Sequence, residues 1–551
     1  MLIQQSAGDR PAGNTRGTRS VVMARNGAIA TSQPLATAAG LKVLQDGGNA
    51  IDAAVTAAAV LSVVEPTMNG PGGDLFAIVY SAKDHKVHGL NASGRAPAAA
   101  TLDEFKKRNL LHVPLRGELS VSVPGVVDGW NELLTKHGTR TLAQALEPAI
   151  RYARDGYAVS EIIAGQWKEV ESLLSRDAKT AAVFLPGGKA PAPGDVFRNP
   201  ALASSLEQIA RGGRDVFYKG AIAKAIADDM QRRNGLLTAK DLADHHADWV
   251  EPLSTTYRGY QVLELPPNTQ GVTALEMLNI LEGFDLKSLG HNTAAYLHVM
   301  VEAKKIAFAD RGAWIGDPSS TPPKAIERML SKDYAAERRK EIDPDKASEY
   351  KALTLTGTAA PPADPEPAGR GDTIYMTAAD SQGNVISLIQ SLYETFGSGI
   401  VAGDTGIVLH DRANLFSLTP GHPNQIAPGK RPFHTLVPAM VMKDGAPWLS
   451  FGVMGGDMQA QGHAQVLANL IDFGMNVQEA GEAPRFRHSG NGLALESAFT
   501  ADARNGLTAR GHHVTGGTGA WGGFQGILID PKTRVLMAGS DPRKDGMAAG
   551  W

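Results

Sequence analysis

The sequence contains no cysteine among its 551 residues, and aromatic side chains account for only 6% of it. The absence of cysteine excludes disulfides, thiolate metal sites and cysteine nucleophiles. The formal net charge is −3, and no long run of one charge sign occurs. A nucleic-acid partner and an anionic membrane surface are therefore not expected. With 43% hydrophobic and 20% charged residues, the chain has the balance of a globular protein with a large core.

Long apolar runs are missing as well. Residues 1–20 are polar, lack the apolar centre of a secretory signal and are expected to be disordered. The most apolar window, Ala53 to Val64, is short and rich in alanine, so it is not expected to span a bilayer. A cytoplasmic protein is the default expectation, although a mature fragment of a longer chain would look the same.

Common signatures of nucleotide, zinc-protease and serine-hydrolase chemistry, GxxxxGK[ST], HExxH and GxSxG, do not occur. The pairs His245-His246 and His512-His513 have no carboxylate at metal-ligand spacing and are interpreted as surface histidines. The glycine run 516–523 is interpreted as a tight turn in a last hairpin, from Val514 to Ile529, because no convincing helix follows it. No metal and no cofactor is predicted.

The apolar pattern predicts a strand-rich centre between helical flanks. Residues 125–350 are mostly helical in pattern, and short strands with glycine turns follow from 373 onward. Such an order is typical of sheets sandwiched between helical layers. The predicted helices include Leu35–Gln45, Ala50–Val64, Leu142–Asp155, Ile162–Leu174, Ala295–Asp310 and Ala464–Phe473, and the predicted strands include Leu75–Tyr80, Tyr260–Leu265, Val385–Tyr393, Leu436–Met442 and Trp448–Val453.

One strand start has chemical potential. A linker rich in proline and alanine, residues 351–372, leads into an alternating strand that begins at Thr373. If the chain were cut before Thr373, the hydroxyl could attack while the free α-amine, with a reference pKa of about 7.7–8.0, accepted the proton. An Asp-Thr pair alone is far more often an ordinary strand start.

A glycine pair, Gly455-Gly456, follows the apolar strand that ends near Val453. Two successive backbone N–H groups at such a point could face a developing oxyanion. A plain turn is the more common reason for Gly-Gly, so this feature alone leaves both interpretations open.

Taken in order, the short motifs resemble the γ-glutamyltranspeptidase family of N-terminal nucleophile hydrolases over nearly the whole chain. The matching stretches are Gly47–Val55, Gly72–Asp74, Val123–Gly125, Leu263–Pro267, Asn279–Glu282, Val301–Arg311, Asp372-Thr373, Thr395–Val401, Lys430–Pro432 and Gly455-Gly456. The resemblance implies an α/β (α+β) fold, a four-layer αββα sandwich, in a proenzyme that cuts itself between Asp372 and Thr373. A large piece, 1–372, and a small piece, 373–551, would stay intertwined as a heterodimer, and two heterodimers could pair in turn.

The resemblance also implies roles for four residues. Thr373 would be the nucleophile, and Gly455 and Gly456 match the oxyanion-binding pair. Ser391 matches a hydroxyl position that hydrogen-bonds the nucleophile, with serine in place of the usual threonine.

The positions that hold a glutamyl group in the family are different here. Ser93 stands where an arginine grips the α-carboxylate, with Arg95 two residues later. The other replaced positions, all predicted near the substrate, are Tyr393, Arg412, Leu415, His434 and Thr435. An acidic partner for the glutamyl ammonium is lost, whereas Arg412 favours an anionic group through its bidentate fork.

The predicted function is therefore self-cleavage followed by hydrolysis of a small, carboxylate-bearing amide, such as a glutaryl-type or oxamate-like acid. Two alternatives remain open: a true γ-glutamyl hydrolase or transferase that uses Arg95 as its grip, and an uncut, catalytically silent scaffold. Arg412 could instead form a structural ion pair with Asp411 or Asp404, and Tyr393 could be a core aromatic residue.

Overall fold

The computed structural model describes residues 18–355, 360–362, 371–490, 492–516 and 521–551. Two seven-stranded antiparallel sheets form its centre. The first sheet runs, in spatial order, β1 (Val22–Ala24), β18 (Leu536–Ser540), β17 (Phe524–Ile529), β13 (Ala446–Val453), β12 (Ala439–Lys443), β9 (Tyr260–Glu264) and β8 (Leu253–Tyr257). The second sheet runs β19 (Met547–Gly550), β2 (Gly27–Thr31), β10 (Asp372–Asp380), β11 (Val385–Tyr393), β3 (Asp74–Ser81), β4 (Lys86–Ala92) and β7 (Asp248–Val250).

Helices cover the outer face of each sheet and share its hydrophobic core. Those packed with the second sheet are α1 (Pro34–Gln45), α2 (Ala50–Val64), α4 (Val126–His137), α5 (Leu142–Asp155), α6 (Glu161–Glu169), α7 (Glu171–Leu174), α8 (Ala178–Phe184), α9 (Pro200–Gly212), α10 (Arg214–Tyr218), α11 (Ala221–Arg232) and α12 (Ala239–Ala243). Those packed with the first sheet are α13 (Gly271–Leu281), α14 (Leu286–Leu289), α15 (Ala294–Trp314), α17 (Lys332–Arg339), α18 (Met458–Ile471), α19 (Val477–Glu482) and α20 (Ala501–Ala509).

A third apolar cluster fills the space between the two sheets. Phe76, Tyr375 and Ile389 reach into it from the second sheet, and Met440 and Ile527 reach into it from the first. The layers therefore follow the order helix, sheet, sheet, helix, which confirms the predicted αββα sandwich. Smaller elements complete the chain: α3 (Leu102–Lys107), α16 (Pro323–Met329), the pair β5 (Tyr157–Ala158) and β6 (Val196–Phe197), and a three-stranded sheet of β14 (Phe486–Ser489), β15 (Gly492–Leu495) and β16 (His513–Gly516).

Helix α2 shows how the local sequence fixes one layer. Asn49 caps the helix by accepting from the Asp52 N–H, and the Asp52 carboxylate accepts the Asn49 N–H in return. All fifteen residues of α2 are buried. Its small side chains let the helix approach both α1 and the strands beneath it, as the alanine-rich pattern predicts.

Segments on the two sides of Thr373 contribute strands to both sheets. In the second sheet, β10 pairs with β2, and β11 pairs with β3. In the first sheet, β12 pairs with β9. The segments before and after Thr373 therefore share one continuous fold.

Four sequence-based boundaries need correction. The predicted hairpin from Val514 to Ile529 is wrong, because β16 pairs with β15 in the small sheet while β17 lies between β13 and β18 in the first sheet. Helix α18 begins six residues before the predicted start, β12 begins three residues later than predicted, and the predicted helix over 162–174 is interrupted at Val170. Two predictions fall largely outside the described residues: the disorder of the N-terminal segment, of which residues 1–17 are not described, and the tight turn in the glycine run, of which residues 517–520 are not described.

Within the described ranges, no helix combines the length and the apolar character needed to cross a membrane.

Candidate active site

Thr373 lies near the start of β10, a central strand of the second sheet, and only 1% of it is exposed. The pairing of β10 with β11 shifts register between Asp372 and Ile374, and such irregularities redirect a side chain. The Thr373 hydroxyl donates to Ser391 Oγ over 3.4 Å. Ser391 Oγ also accepts the Tyr393 N–H at 2.7 Å. The predicted nucleophile and its predicted hydroxyl neighbour are therefore brought together.

The glycine pair lies against the residues that precede Thr373. A Cβ atom at Gly371, whose φ is +54°, would be 2.9 Å from the Gly456 Cα and 3.2 Å from a ring carbon of Tyr393. Gly455 and Gly456 have φ of +106° and +59°, and α18 begins two residues after them. A helix N-terminus presents free N–H groups and positive potential. The pair thus forms a turn, as one interpretation held, and that turn adjoins the predicted cleavage point.

A buried polar network joins this turn to the predicted substrate residues. The Gln270 amide donates to the Thr435 carbonyl at 2.8 Å and to the Gly456 carbonyl at 3.2 Å. Arg311 donates to Gln270 Oε1 and to Asp457, each at 2.7 Å. The sequence analysis gave no role to Gln270 or Arg311. The available signal was the position of Arg311 in the last turn of α15, at the end of the matching stretch Val301–Arg311.

Asp74, the first residue of β3, is the acid at the centre of the site. It is fully buried, accepts the Gly94 N–H at 2.7 Å and lies 3.0 Å from His434 Nε2 and 3.1 Å from His410 Nδ1. Burial alone would raise its pKa, but the nearby His410 and the hydrogen bond from His434 hold the pKa of Asp74 well below its usual range. Asp74 is therefore an anion at neutral pH.

His434 is neutral, and its tautomer follows from its neighbours. Its Nδ1 accepts the Leu436 N–H at 3.3 Å, so the ring proton lies on Nε2, which faces Asp74. Burial and the positive charge of Arg412 lower the pKa of His434 to about 3. The neighbouring Thr435 turns its hydroxyl oxygen towards Arg412, which donates to it from Nη1 at 3.1 Å.

Arg412 is fully buried in a short 3-10 turn, and its guanidinium carbon lies 4.6 Å from the centre of the Tyr393 ring. Its Nε is 3.6 Å from Asp74, which is an ion-pair separation. Among the residues that the structure describes, Nε and Nη2 have no hydrogen-bond partner, and neither does the Tyr393 hydroxyl. Burial lowers the pKa of Arg412 and raises that of Tyr393. In the described part of the chain, the unpartnered donors of Arg412 and the unpartnered Tyr393 hydroxyl therefore lie in the same buried region.

Arg412 does form a buried ion pair, but with Asp74 at 3.6 Å rather than with either of the predicted acids. Asp404 pairs instead with Lys179 at 3.1 Å. Asp411 has Arg116 at 3.8 Å, and burial, only partly offset by Arg116, raises the pKa of Asp411 to about 7.

Arg95 occupies a different environment from Arg412. Its guanidinium donates to Asp248 at 2.9 Å and to the His246 carbonyl at 3.2 Å, and 26% of the side chain is exposed. The γ-glutamyl alternative would use the charge of Arg95, which is thus engaged with Asp248, a carboxylate that also pairs with Arg431 at 2.5 Å. Ser93, which stands at the family's arginine position, donates its hydroxyl to Asn91 at 2.7 Å.

Glu394 is a further residue that the sequence analysis missed. Its Oε1 accepts the Gly371 N–H at 2.7 Å, and Arg116 lies 3.6 Å from its Oε2. Its own backbone N–H donates to Asp411 at 3.1 Å. A charged residue directly after a fully buried strand was the signal that could have identified it.

The histidine pairs are only half exposed, so the prediction of surface histidines is wrong for one member of each. His245 and His512 are buried.

His512 lies with His298 and Glu302 of α15 in a cluster whose donor atoms are within 4.8 Å of one another. These donors are already engaged: His512 Nε2 with His298 Nδ1 and Glu302 with Lys305, each at 2.7 Å. The ammonium group of Lys305 occupies the place of a cation, so we assign no metal to this cluster.

Comparison with known proteins places this geometry in a family. The sequence model described as Gamma-glutamyltranspeptidase matches residues 36–551. The Glutathione hydrolase-like YwrD proenzyme of Bacillus subtilis is 40% identical over 94% of this chain and 97% of its own length, and the oxamate amidohydrolase proenzyme of Klebsiella pneumoniae is 34% identical over the same shares.

A solved structure supports the same assignment. The crystal structure of cephalosporin acylase from Bacillus halodurans is 41% identical, covers 100% of this chain and 99% of its own, and superposes with a TM-score of 0.90. The chain belongs to the γ-glutamyltranspeptidase family and is a hydrolase of the N-terminal nucleophile type.

Proposed function

We propose that this protein cuts itself between Asp372 and Thr373 and then hydrolyses the amide bond of a small substrate that carries a carboxylate on its acyl group. The observation that carries the proposal is the buried Arg412: its guanidinium lies over Tyr393, and its Nε and Nη2 have no hydrogen-bond partner among the residues that the structure describes. Tyr393 is in turn linked to the nucleophile, because its N–H and the Thr373 hydroxyl both donate to Ser391.

Self-cleavage needs only groups of this chain and one water. The Thr373 oxygen attacks the Asp372 carbonyl carbon, the bond from that carbon to the Thr373 nitrogen breaks, and the nitrogen takes the hydroxyl proton. The ester that forms is hydrolysed by water, which leaves a carboxylate on Asp372 and a free α-amine on Thr373. Gly455 and Gly456 are proposed to stabilise the oxyanion with backbone N–H groups, helped by the N-terminus of α18.

Turnover repeats the chemistry with an external amide. The Thr373 hydroxyl attacks the substrate carbonyl while the α-amine accepts its proton and passes it to the leaving amine. Water then releases the acyl group as an acid. The pieces 1–372 and 373–551 are proposed to stay together throughout, which the shared sheets support, and pairing of two such heterodimers remains a prediction.

The substrate class rests on the charge at the site. A carboxylate placed beside Arg412 could accept from both Nε and Nη2, the bidentate geometry that a guanidinium favours. His434 is neutral and Asp74 already has Gly94, His434 and His410 around it. The unpartnered donors of Arg412 therefore favour an anionic ligand, and the ion pair with Asp74 at 3.6 Å reduces the net charge of the site. Relatives named oxamate amidohydrolase and cephalosporin acylase are consistent with non-glutamyl acids.

A γ-glutamyl hydrolase or transferase is the second candidate, favoured by the name of the 40% identical relative. Identity alone does not separate the two candidates, because the cephalosporin acylase is 41% identical. A glutamyl ammonium would need a free carboxylate near Arg412. Among the described residues, Asp74 is enclosed by its own partners, and Asp411 and Glu394 share the cation Arg116 at 3.8 and 3.6 Å, which is why we rank this candidate second.

A panel of chromogenic anilides tests the proposal directly. We expect release from glutaryl and oxalyl anilides at least tenfold faster, in kcat/KM, than from the γ-glutamyl anilide. Brisk release from the γ-glutamyl anilide would contradict the substrate argument. Thr373→Ala should give an intact, folded and inactive chain, and a wild-type protein that stays a single band on a gel after long incubation would support the scaffold alternative instead.

A further inference from the structure

We propose that Glu394 is a positioning residue for self-cleavage: its carboxylate holds the Gly371 N–H and so keeps the Asp372–Thr373 peptide bond beside Gly456. This inference rests on the proposed cleavage site, and it adds a residue for which neither the sequence analysis nor the comparisons provide a role.

The first observation is that Gly371 is enclosed on three sides. Its N–H donates to Glu394 Oε1 at 2.7 Å, and the position of its missing Cβ lies 2.9 Å from Gly456 and 3.2 Å from the Tyr393 ring. Its φ of +54° is a conformation that favours glycine. A hydrogen bond to a carboxylate is shorter and stronger than one to a neutral acceptor, so Glu394 is the strongest of these restraints.

The second observation is that Glu394 is itself held in place. Only 9% of the residue is exposed, its backbone N–H donates to Asp411 at 3.1 Å, and Arg116 lies 3.6 Å from its second carboxylate oxygen. Arg116 is anchored in turn on the carbonyls of Thr395, at 2.8 Å, and Gly397. The contacts of the loop that follows β11 therefore hold the Glu394 carboxylate in place independently of Gly371.

Fixing both ends of a short peptide favours attack within it. Thr373 is flanked by the paired residues Asp372 and Ile374 of β10 and is held by Ser391. Gly371 is held by Glu394, so Asp372 between them has little freedom to rotate. Holding reacting groups in place lowers the activation free energy of an intramolecular step. Glu394 neither gives nor takes a proton in the reaction, and Gly371 leaves it when the new carboxyl end moves away.

Rates of self-cleavage test this role. Glu394→Ala should cleave at least tenfold more slowly than wild type, a change of about 1.4 kcal/mol in activation free energy. Glu394→Gln keeps an oxygen acceptor and should cleave within threefold of wild type. Glu132→Ala is a matched control, because Glu132 also accepts a hydrogen bond, from Trp249 at 3.0 Å, but lies on α4; it should cleave normally.

Two further measurements separate positioning from a general loss of structure. In the uncleavable Thr373→Ala background, hydrogen exchange of the peptide containing Gly371 should accelerate at least tenfold when Glu394→Ala is added, with the melting temperature unchanged within 2 °C. Chains of Glu394→Ala that have been cut should keep a kcat per cut chain within threefold of wild type.

The outcomes distinguish this inference from the proposed function. Wild-type cleavage rates in Glu394→Ala, with the cut still before Thr373, would overturn the role of Glu394 and leave the function intact. Equal slowing in Glu394→Gln and Glu394→Ala, or a kcat that falls as far as the cleavage rate, would also overturn it. A wild-type chain cut elsewhere would overturn both.

Discussion

Replacing Arg412 by methionine should selectively weaken the binding of anionic substrates. Methionine has an unbranched chain that can still lie on the Tyr393 ring, and it removes the free donors Nε and Nη2. Asp74 keeps its contacts with Gly94, His434 and His410 but loses the cation 3.6 Å away, so the substitution also lowers stability. Kinetics are therefore compared on fully cleaved, folded protein at a temperature well below its melting point, where the remaining loss falls on the substrate carboxylate.

The expected size follows from the hydrogen bonds that disappear. A hydrogen bond to a charged group contributes about 1.5–3 kcal/mol, and a factor of ten in affinity corresponds to about 1.4 kcal/mol. The loss of one such bond should raise KM for a glutaryl anilide about 10- to 150-fold, and this is the smallest rise expected when both donors are removed. The kcat should change less than threefold, because Arg412 binds the substrate rather than the reacting carbonyl. An anilide of an uncharged acyl group of equal length should bind no worse than before.

Steady-state kinetics of fully cleaved enzyme provide the assay, with Arg95→Met as the matched control. Arg95 is paired with Asp248 at 2.9 Å, so its loss should alter KM less than twofold. An unchanged KM in Arg412→Met would remove Arg412 from the pocket. A large rise in Arg95→Met instead would favour the γ-glutamyl alternative.

Three further predictions concern stability. Burial raises the pKa of Asp411 to about 7, against about 3.9 in an unfolded chain, so the fold loses stability as pH rises from about 4 to 7. Calorimetry in the Thr373→Ala background should therefore find that Asp411→Asn raises the melting temperature more at pH 8 than at pH 5. An equal rise at both pH values would refute the raised pKa of Asp411. Asp74→Asn removes the anion beside His410 and Arg412 and should cost about 3–5 kcal/mol in urea unfolding, whereas a loss below 1 kcal/mol would show that the cluster is not coupled. In Gly94→Ala the new Cβ would lie 1.5 Å from the Val123 carbonyl oxygen, so this variant should not fold. The control Gly47→Ala has φ +84° and no atom within 4 Å of the new Cβ, so it should lower the free energy of unfolding by only about 1 kcal/mol. Normal yield and melting of Gly94→Ala would contradict the packing around Gly94.

Elements with a clear local signal were predictable from the sequence. Helix α2 and strand β11 have the predicted bounds, because a capping residue, glycines and a continuous apolar run define their ends. Helix α18 was predicted to start only at Ala464. Its first turns, Gln459, Gln461 and His463, are polar yet fully buried, so the apolar period that marks a helix begins too late.

Contacts between distant segments were not predictable in this way. Two apolar runs around a glycine turn are typical of a hairpin, yet β16 and β17 find their partners in different sheets. In the site, the family resemblance indicated Thr373, Ser391 and the glycine pair, whereas the roles of Asp74 and Glu394 depend on neighbours at least 20 residues away. Buried polar networks of this kind appear only when the fold is assembled.

Both proposed reactions of Thr373 depend on the cut before this residue. Intact-mass spectrometry and N-terminal sequencing of the fully active protein test it most directly. We expect two pieces, residues 1–372 and 373–551, with threonine at the new N-terminus. A fully active protein that remains one unbroken chain, or whose second piece begins at another residue, would contradict the account.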